Sequence, residues 1–489
     1  MPLGEALNAA SRLQQSGDLR EAERILRELG KQAPKSERLR GLLAITYLGQ
    51  NLPLRAWKTI ATALRGAEEP GTLVIGSRVA KRLLRLEDTR RLLERAIQLD
   101  RSNTGLRLEL STCLTELGLR DEAAELLDAI IAKDPRLTSA HWQLALLDLV
   151  ERDEEHLAQM NSLLEEGGLS KRDRVPLHFA CARILQRRDA VDREFHHLNE
   201  ASATVLAQRP WNAEIEVQRH EKIRAFLERG MGEAEGGLQG GPDLAPLLVT
   251  SMPRSGSTLM ESILGAHPAV AMSGEWGFFH AWTSDYARSE ELASLDELWS
   301  SKRPLTEVLQ SLANFVSEAA EALQLTSTTF TEKSISNVEN LPFMLLAFPR
   351  AKVVHVQRDP LDAALSAYQL HFGGPANQYT YDLRAFAKRY RQHTQFMDAW
   401  RALFPDRIHD VQYEDLVRQP EEVLPPVLAF CGLDWDPACL RFHENTSPVL
   451  TASNMQVRRP LYTSAVGKHV RYGKLLAPAA EELGIEITE

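Results

Sequence analysis

Apolar residues recur at helical spacing through roughly the first two hundred residues of the chain. A period of about 34 residues is visible there, because segment 17–22 aligns with segments 51–56 and 118–123. Each segment ends in an alanine, whose small side chain lets paired helices approach closely, and Pro34 and Pro135 close two units at the same phase. The pattern predicts an all-α array of stacked helix-turn-helix repeats over residues 1–205.

These units resemble tetratricopeptide repeats, whose arrays usually present a surface to peptides or protein partners. The resemblance implies a protein partner for the array, while dimerisation and support of a neighbouring domain are alternative uses. A plain helical bundle is the competing interpretation of the same periodicity. Trp57 and Trp142 are expected to be core residues rather than ligand contacts.

The hydrophobic pattern changes after residues 229–242, which are rich in glycine, lack periodicity and are typical of a flexible linker. Beyond them, apolar runs of strand length at 247–250 and 351–357 are each followed by a helical pattern. This alternation predicts an α/β domain with a central parallel sheet over residues 245–489. A connecting helix and the linker, over residues 206–244, are expected to join it to the repeats.

The loop after the first predicted strand carries the most specific chemical signal in the chain. It reads Pro-Arg-Ser-Gly-Ser-Thr over residues 253–258 and leads into a helical segment. Backbone N–H groups in such a turn, backed by the positive end of a helix dipole, hold a phosphate or a similar oxyanion. No lysine follows the glycine, which excludes the nucleoside-triphosphate loop of kinases and ATPases. The binding residues expected from this loop are Arg254, Ser255, Gly256, Ser257 and Thr258.

A second strand-to-helix junction carries another anion signal. Arg358 leaves the end of the predicted strand, and the following Asp359-Pro360 is a usual start signal for a helix. Ser366 lies eight residues after Arg358, about two turns into that helix. A solvated arginine and a surface serine at a helix N-terminus are the alternative interpretation. Two signals of this kind, in this order, favour anion binding over coincidence.

Both junctions resemble those of sulfotransferases that use 3′-phosphoadenosine 5′-phosphosulfate (PAPS) as donor. Loop 253–258 resembles their 5′-phosphosulfate loop, and Arg358 with Ser366 resembles the pair that binds the donor's 3′-phosphate. Segment 451–468 resembles a stretch near the end of tyrosylprotein sulfotransferases and of their bacterial relatives with helical repeats. The resemblance covers residues 245–475 and implies a P-loop-like sulfotransferase fold. It also implies further donor-site residues, namely Tyr413, Ser453, Gln456, Val457, Arg458 and Lys468.

The same resemblance implies the residues that carry the chemistry. Glu275 lies 21 residues after Arg254, where tyrosylprotein sulfotransferases have a catalytic Glu, and it is expected to act as the general base. Arg254 is expected to stabilise the charge of the moving group. Lys333 lies where the family has a lysine that contacts that group, although its flanking residues depart from the family's pattern. Cytosolic small-molecule sulfotransferases use a histidine instead, and His267 and His280 are the nearby candidates for that variant.

The resemblance thus implies a PAPS-dependent sulfotransferase that moves a sulfuryl group to an acceptor hydroxyl. We expect no metal requirement, because cations and backbone N–H groups can take up the developing charge. Peptide tyrosine, sugar, lipid and small metabolite all stay open as acceptors, and the repeats favour a protein or peptide. The acceptor pocket is expected near segments 276–325 and 369–381. The alternative is a repeat-based interaction protein whose domain binds nucleotide without turnover.

Composition and charge agree with a cytoplasmic protein of two folded domains. A net charge of −10 does not favour nucleic acid or an anionic membrane as partner. The four cysteines lack metal-ligand spacing and suggest no disulfide framework. The first residues lack a basic-then-apolar signal, and no apolar stretch approaches about 18 residues, so no membrane anchor is expected.

Overall fold

The computed structural model describes residues 3–208, 210–230, 238, 241–292, 295–372, 375–445, 451 and 454–487. Its N-terminal part consists of helices joined by short turns. These helices are α1 (Leu3–Ser16), α2 (Leu19–Gln32), α3 (Glu37–Gly49), α4 (Pro53–Leu64), α5 (Pro70–Arg82), α6 (Leu86–Leu99), α7 (Thr104–Leu117), α8 (Arg120–Lys133), α9 (Thr138–Leu146), α10 (Asp153–Glu166), α11 (Lys171–Arg187), α12 (Val191–Gln208) and α13 (Ala213–Gly230), with a 3₁₀ helix at Val150–Arg152. Within the described residues, no helix combines the length and the apolar character needed to cross a membrane.

Left-handed residues mark the turn between the two helices of each of the first four pairs. Gly17, Asn51, Leu84 and Gly118 have φ angles of 87°, 57°, 59° and 82°, and successive positions are 33 or 34 residues apart. Residues in this conformation end a helix and turn the chain, so that the second helix of each pair can pack against the first. The structure therefore confirms the predicted helical-repeat array, in which α1 to α8 pack as consecutive pairs.

The C-terminal part is an α/β domain. Its strands are β1 (Ala245–Thr250), β2 (Ala271–Met272), β3 (Thr329–Glu332), β4 (Lys352–Gln357) and β5 (Ile408–Gln412). Its helices are α14 (Ser257–Gly265), α15 (Phe278–Ser289), α16 (Leu295–Ser300), α17 (Leu305–Ala322), α18 (Leu341–Ala347), α19 (Pro360–Tyr368), α20 (Leu383–Leu403), α21 (Tyr413–Arg418), α22 (Pro420–Phe430), α23 (Asn454–Val457) and α24 (Ala477–Leu483). Further 3₁₀ helices lie at Ile335–Asn340, Pro375–Tyr381, Pro437–Glu444 and Lys468–Leu476.

The five strands form one sheet in the order β2-β3-β1-β4-β5, in which all neighbours are parallel, as predicted. All six residues of β1 are buried, which suits a central strand covered on both faces. The chain leaves β1 towards one edge of the sheet and leaves β4 towards the other edge. Open α/β sheets bind ligands outside the carboxyl ends of the strands at such a reversal. The two predicted anion-binding junctions follow β1 and β4, so the topology brings them side by side.

The repeats and the α/β domain share apolar cores. One core joins Tyr47 and Ile60 of the repeats with Trp276 and Phe279 of the α/β domain. A second core combines residues of α9, α11 and α12 with residues of α19 and α20. Because burial of apolar surface is the main stabilising contribution to folding, the two parts support each other's stability.

An edge of the array, formed by the turns within the repeats, contacts the α/β domain. Arg20 Nη2 donates a hydrogen bond to the Leu292 carbonyl at 2.7 Å, at the turn of the first repeat. Asn51 Nδ2 in the second repeat donates to a main-chain carbonyl of α15 at 3.1 Å. Arg85 Nη2 in the third repeat donates to the Ala322 carbonyl at 3.1 Å. Consecutive repeats therefore use the same structural position to hold the α/β domain.

Candidate active site

The loop between β1 and α14 has a backbone that depends on glycine. Arg254 and Gly256 both have positive φ angles, of 66° and 101°. A Cβ at Gly256 would lie 2.5 Å from Cδ2 of Tyr413, so a larger residue would collide with that ring. Ser257 begins α14, whose first N–H groups lack partners within the helix. The loop and the helix start therefore form a pocket of the kind that holds an oxyanion.

Two arginines converge from the loops after β1 and β4. Arg254 Nε donates to Ser366 Oγ at 3.1 Å, and Arg254 Nη2 donates to Gln456 Oε1 at 2.9 Å. Arg358 Nη1 donates to the Arg254 carbonyl at 2.7 Å, and the Arg358 guanidinium lies 4.8 Å from the ring centre of Tyr413. The structure thus joins five predicted donor-site residues into one cluster.

This cluster concentrates positive charge on buried or partly buried side chains. Burial, followed by the charge of the neighbouring Arg358, lowers the pKa of Arg254 to about 10. Burial also lowers the pKa of Lys468 to about 8. Arg358 Nε is buried and has no hydrogen-bond partner among the described residues. Because buried cations and unsatisfied donors are costly, the arrangement favours the binding of an anion.

Asp362 connects Arg358 with the segment that carries Lys468. Its buried carboxylate accepts hydrogen bonds from the N–H of Gly467 at 2.7 Å and from the N–H of His469 at 2.8 Å. It also lies 3.9 Å from Arg358 Nη2. The carboxylate therefore holds the main chain on both sides of Lys468, a role that sequence spacing did not indicate.

Asp359, Asp362 and His469 offer three ligand atoms within 4.8 Å of one another, a spacing that a metal ion could use. Both carboxylates already accept hydrogen bonds from backbone N–H groups, that of Asp359 from Leu361 and Asp362 at 2.9 Å each. These bonds give the cluster a structural role: Asp359 caps the N-terminus of α19, and Asp362 holds the segment that contains Gly467 and His469.

A lysine and a carboxylate form a second cluster at the other side of the loop after β1. Lys333 Nζ lies 2.5 Å from Glu275 Oε1 and 3.2 Å from Thr258 Oγ1. The Lys333 side chain is fully buried, whereas that of Glu275 is 37% exposed. The N–H of Lys333 donates to the Gly274 carbonyl at 3.0 Å, which aligns the two segments. The pair thus brings a buried charge next to a carboxylate that solvent can reach.

Glu261 in α14 places a further carboxylate near Lys333. Its side chain is buried and accepts a hydrogen bond from Thr331 Oγ1 at 2.9 Å. Burial raises the pKa of Glu261, and the charge of Lys333 opposes that rise. Sequence analysis missed this residue, whose single signal was a carboxylate within an otherwise apolar helical segment.

Both clusters lie at a cavity of about 770 Å³. The predicted site residues that line it are Arg254, Gly256, Ser257, Thr258, Glu275, Arg358, Ser366, Tyr413, Gln456, Val457 and Lys468. Lys333 is not a lining residue but contacts two residues that are, Glu275 and Thr258. Most of the predicted residues are therefore brought together, from segments far apart in the sequence.

Other predicted residues lie elsewhere. The side chain of Ser255 is fully buried and does not line the cavity. Arg458 Nη2 donates to the Glu116 carbonyl of the repeats at 3.2 Å, while the adjacent Arg459 lines the cavity. Ser453 lies outside the described residues. Arg459 therefore lines the cavity, whereas Arg458, which the resemblance implied, contacts the repeats.

The two histidines considered as bases also lie away from the cavity lining. His267 Nε2 contacts the Asp434 carbonyl at 3.1 Å, and its Nδ1 accepts from the Ala269 N–H at 3.1 Å. Burial lowers the pKa of His280 in α15. Both arrangements suit structural histidines.

The repeats form one wall of the cavity. Helices α7, α9 and α11 contribute the lining residues Thr112, Thr115, Glu116, Trp142, Gln143, Leu146, Arg183 and Gln186. Trp142 belongs to an apolar core, as expected, yet it also lines the cavity. Sequence analysis did not foresee that the array would reach the site.

Of the two segments expected near an acceptor, one lines the cavity. Segment 369–381 contributes Gln369, Leu370, His371, Phe372 and Asn377. None of the lining residues comes from the described part of segment 276–325, which packs instead into the core shared with the repeats.

Comparison with known proteins agrees with both halves of the chain. Residues 246–437 match the sequence profile of the sulfotransferase family, and residues 85–147 match that of the tetratricopeptide repeat. Among solved structures, the sulfotransferase domain of the Synechococcus PCC 7002 olefin synthase is similar, with 22% identity and a TM-score of 0.35. The match covers 50% of this chain and 96% of that domain.

Three relatives match over long stretches. An uncharacterized protein of Aquifex aeolicus (strain VF5) is 30% identical over 397 residues, which cover 78% of this chain and 50% of that protein. Protein-tyrosine sulfotransferase 1 of Danio rerio is 24% identical over 50% of this chain and 70% of its own length. The protein-tyrosine sulfotransferase of Drosophila melanogaster is 27% identical over 46% of each chain. The chain thus spans about half the length of the Aquifex and Drosophila relatives.

The family match includes the loop after β1, the Glu275–Lys333 pair and the junction after β4. These segments contribute Arg254, Glu275 and Arg358 to the charged part of the cavity. Residues 246–437 of this chain thus match the sulfotransferase family, and a stretch that matches the tetratricopeptide repeat precedes them.

Proposed function

We propose that this protein transfers a sulfuryl group from PAPS to an acceptor hydroxyl. The observation that carries the proposal is one cavity lined by residues of both predicted anion-binding junctions and by Glu275, which pairs with the buried Lys333. Sulfuryl transfer requires both features, since the donor carries two anionic ends and the acceptor must lose a proton. The sulfotransferase family match supports this class of reaction.

The cavity suits a donor with two separate anionic groups. The N-terminus of α14, with the hydroxyls of Ser257 and Thr258, suits the phosphosulfate end. Arg358, Ser366 and Lys468 suit the 3′-phosphate, for which a planar guanidinium supplies paired donors. The bond from Arg254 to Ser366 connects the two groups of residues.

In this proposal Glu275 takes the acceptor proton. As the acceptor oxygen forms its bond to sulfur, the bond from sulfur to the 5′-phosphate oxygen breaks, and the hydroxyl proton moves to the Glu275 carboxylate. Lys333 contacts both Glu275 and Thr258, so its charge lies between the base and the phosphosulfate loop. There it offsets negative charge on the moving group and on the leaving phosphate.

Peptide tyrosine is the acceptor that we propose to test first. Two relatives are named protein-tyrosine sulfotransferases. Trp142, His371 and Phe372 line the cavity, and aromatic side chains of this kind pack well against a phenol ring. The repeats would then contribute directly to the acceptor side of the cavity.

A nucleotide-binding interaction protein without turnover is the alternative function. Such a protein would keep the anion-binding junctions but would have no use for a base. The fully buried Lys333 pairs with a carboxylate, as a buried cation requires, and that carboxylate, Glu275, lines the cavity. This placement favours the enzyme.

Titration calorimetry with adenosine 3′,5′-bisphosphate, 5′-AMP and ATP tests the donor site. We expect the bisphosphate to bind at least about tenfold more tightly than 5′-AMP, because a hydrogen bond to a charged group contributes about 1.5–3 kcal/mol. Arg358→Ala is expected to remove most of this preference and to change 5′-AMP binding little. A preference for ATP, or no binding of the bisphosphate, would contradict the proposed function.

Replacing Asp362 with Asn is expected to weaken bisphosphate binding by about tenfold. Asparagine offers one acceptor oxygen, so the N–H of Gly467 or of His469 loses its partner and the segment carrying Lys468 is released. Asp382→Asn is the matched control, because Asp382 caps α20 and does not line the cavity. Equal bisphosphate affinity in Asp362→Asn and the parent would show that the segment holds its place without this carboxylate.

A further inference from the structure

An arginine of the repeats faces the phosphate-binding side of the cavity. Arg183 in α11 lines the same cavity as Arg254, Arg358 and Lys468, although it precedes the family-matched region by more than sixty residues. Its charge contributes to lowering the pKa of Arg254 and of Lys468, after the larger effect of burial. The Arg183 side chain is 23% exposed, so it keeps a surface that a ligand can reach.

Arg183 is held in a fixed orientation. Its Nε donates to Asp148 Oδ1 at 3.0 Å and its Nη2 donates to Asp148 Oδ2 at 2.7 Å. Its Nη1 donates to Gln186 Oε1 at 3.1 Å. A guanidinium has five N–H donors, so these three contacts leave donors for a ligand. Because the orientation is already set, binding an anion would cost little side-chain entropy.

Carboxylates near the cavity offset only part of this positive charge. Glu116, a lining residue, pairs with Lys81 at 2.8 Å, and Glu275 pairs with Lys333. Asp362 lies near Arg358 and offsets one charge of the cluster. Asp148 is shared, since Arg187 Nη1 also donates to it at 2.7 Å. Glu194 offsets part of the charge of Lys468. Five cations (Arg183, Arg187, Arg254, Arg358 and Lys468) then face four carboxylates (Asp148, Asp153, Asp362 and Glu194), and an anionic ligand would supply the missing negative charge.

We propose that Arg183 completes the 3′-phosphate site, so that the donor nucleotide is bound between the α/β domain and the repeats. This inference rests on the proposed function. It assigns the site to the 3′-phosphate because Arg183 lines the same cavity as Arg358, Ser366 and Lys468, the residues proposed for that phosphate. Asp362 connects Arg358 with the main chain on both sides of Lys468, so these cations belong to one side of the cavity. The ligand class is an adenosine nucleotide that carries a 3′-phosphate. The repeats thereby become part of the nucleotide site in addition to their packing role.

The test compares Arg183→Gln with Arg187→Gln in the full-length protein. Both arginines donate to Asp148, but Arg187 does not line the cavity and also pairs with Asp153. Calorimetry measures the affinity for adenosine 3′,5′-bisphosphate and for 5′-AMP. We expect Arg183→Gln to weaken bisphosphate binding by about tenfold to a hundredfold and to leave 5′-AMP binding nearly unchanged. Arg187→Gln is expected to lower the melting temperature and to keep the ratio of the two affinities.

The outcomes separate this inference from the proposed function. If the parent protein does not prefer the bisphosphate, the proposed function fails. If the parent prefers it and Arg183→Gln keeps the same ratio, only the role of Arg183 is overturned. If Arg183→Gln and Arg187→Gln lowered the ratio of bisphosphate to 5′-AMP affinity equally, the role of Arg183 would also be overturned, because the effect would then be structural. If Arg183→Gln does not fold, Arg183→Lys is titrated instead. Lysine cannot make the bidentate contact of a guanidinium, so an unchanged ratio of the two affinities in Arg183→Lys would overturn the inference.

Discussion

Replacing Glu275 with Gln is expected to lower the rate of sulfuryl transfer by about 10²–10⁴-fold, with little change in bisphosphate affinity. Glutamine keeps a carbonyl oxygen for the contact with Lys333 but cannot take up the acceptor proton. Single-turnover transfer from radiolabelled PAPS to a tyrosine peptide measures the rate, and calorimetry measures bisphosphate affinity.

Glu444→Gln serves as the control for this substitution. Glu444 is exposed and pairs with Arg441 at 3.6 Å, an exposed contact that contributes little to stability. Its replacement is expected to leave both the rate and the affinity unchanged. An unaltered rate in Glu275→Gln would show that another group accepts the proton. A large loss of bisphosphate affinity would assign Glu275 to donor binding instead.

A fragment of residues 206–489, without the array, is expected not to fold into a stable nucleotide-binding protein. Removal of the array uncovers apolar surface on both cores that it shares with the α/β domain. Ring contacts across the boundary, such as Phe195 with Tyr368 at 5.8 Å and Phe179 with His371 at 5.1 Å, would be lost. Each large buried side chain contributes about 1.5–3 kcal/mol, so a few exceed a typical net stability of about 5–15 kcal/mol.

Soluble yield, near-ultraviolet circular dichroism and bisphosphate titration of the fragment check this expectation. Co-expression of residues 1–205 with residues 206–489 is the control, because the contacts between the parts are non-covalent and would restore the fold. Ion pairs such as Arg55 with Asp285 at 2.7 Å and Glu23 with Arg288 would re-form in that complex. A fragment that is folded and binds the bisphosphate alone would refute the shared-core account.

The packing of the array also changes what its repeats offer to a partner. Turns of consecutive repeats donate hydrogen bonds to the α/β domain, and faces of α7, α9 and α11 line the cavity. A peptide that enters this cavity would contact the repeats and the loops after β1 and β4 at the same time. If the proposed function holds, the acceptor would be bound by the repeats in the same cavity in which it reacts.

Much of the fold was predictable because the signals are local. The repeat period follows from small residues and from left-handed turn residues such as Gly17 and Gly118, which set the conformation of the chain over only a few residues. The loops at 253–258 and after β4 follow from strand, turn and helix signals within about fifteen residues. The parallel sheet and the helical array of the structure agree with these predictions. The assigned roles of the site residues stay predictions until the variants are measured.

The sequence by itself determined the order of the helical array and the parallel α/β domain, and it indicated two junctions that we predict to bind anions. The family resemblance added the carboxylate expected as base. Only the tertiary structure decided that Lys333 contacts Glu275, that Arg459 rather than Arg458 lines the cavity, and that Arg183 of the repeats reaches it. The physical reason is that helices, strands and turns are specified by hydrogen bonds and hydrophobic patterns among residues close in sequence. Which side chains face each other across a cavity depends instead on the packing of whole helices, and spacing along the chain carries no record of it.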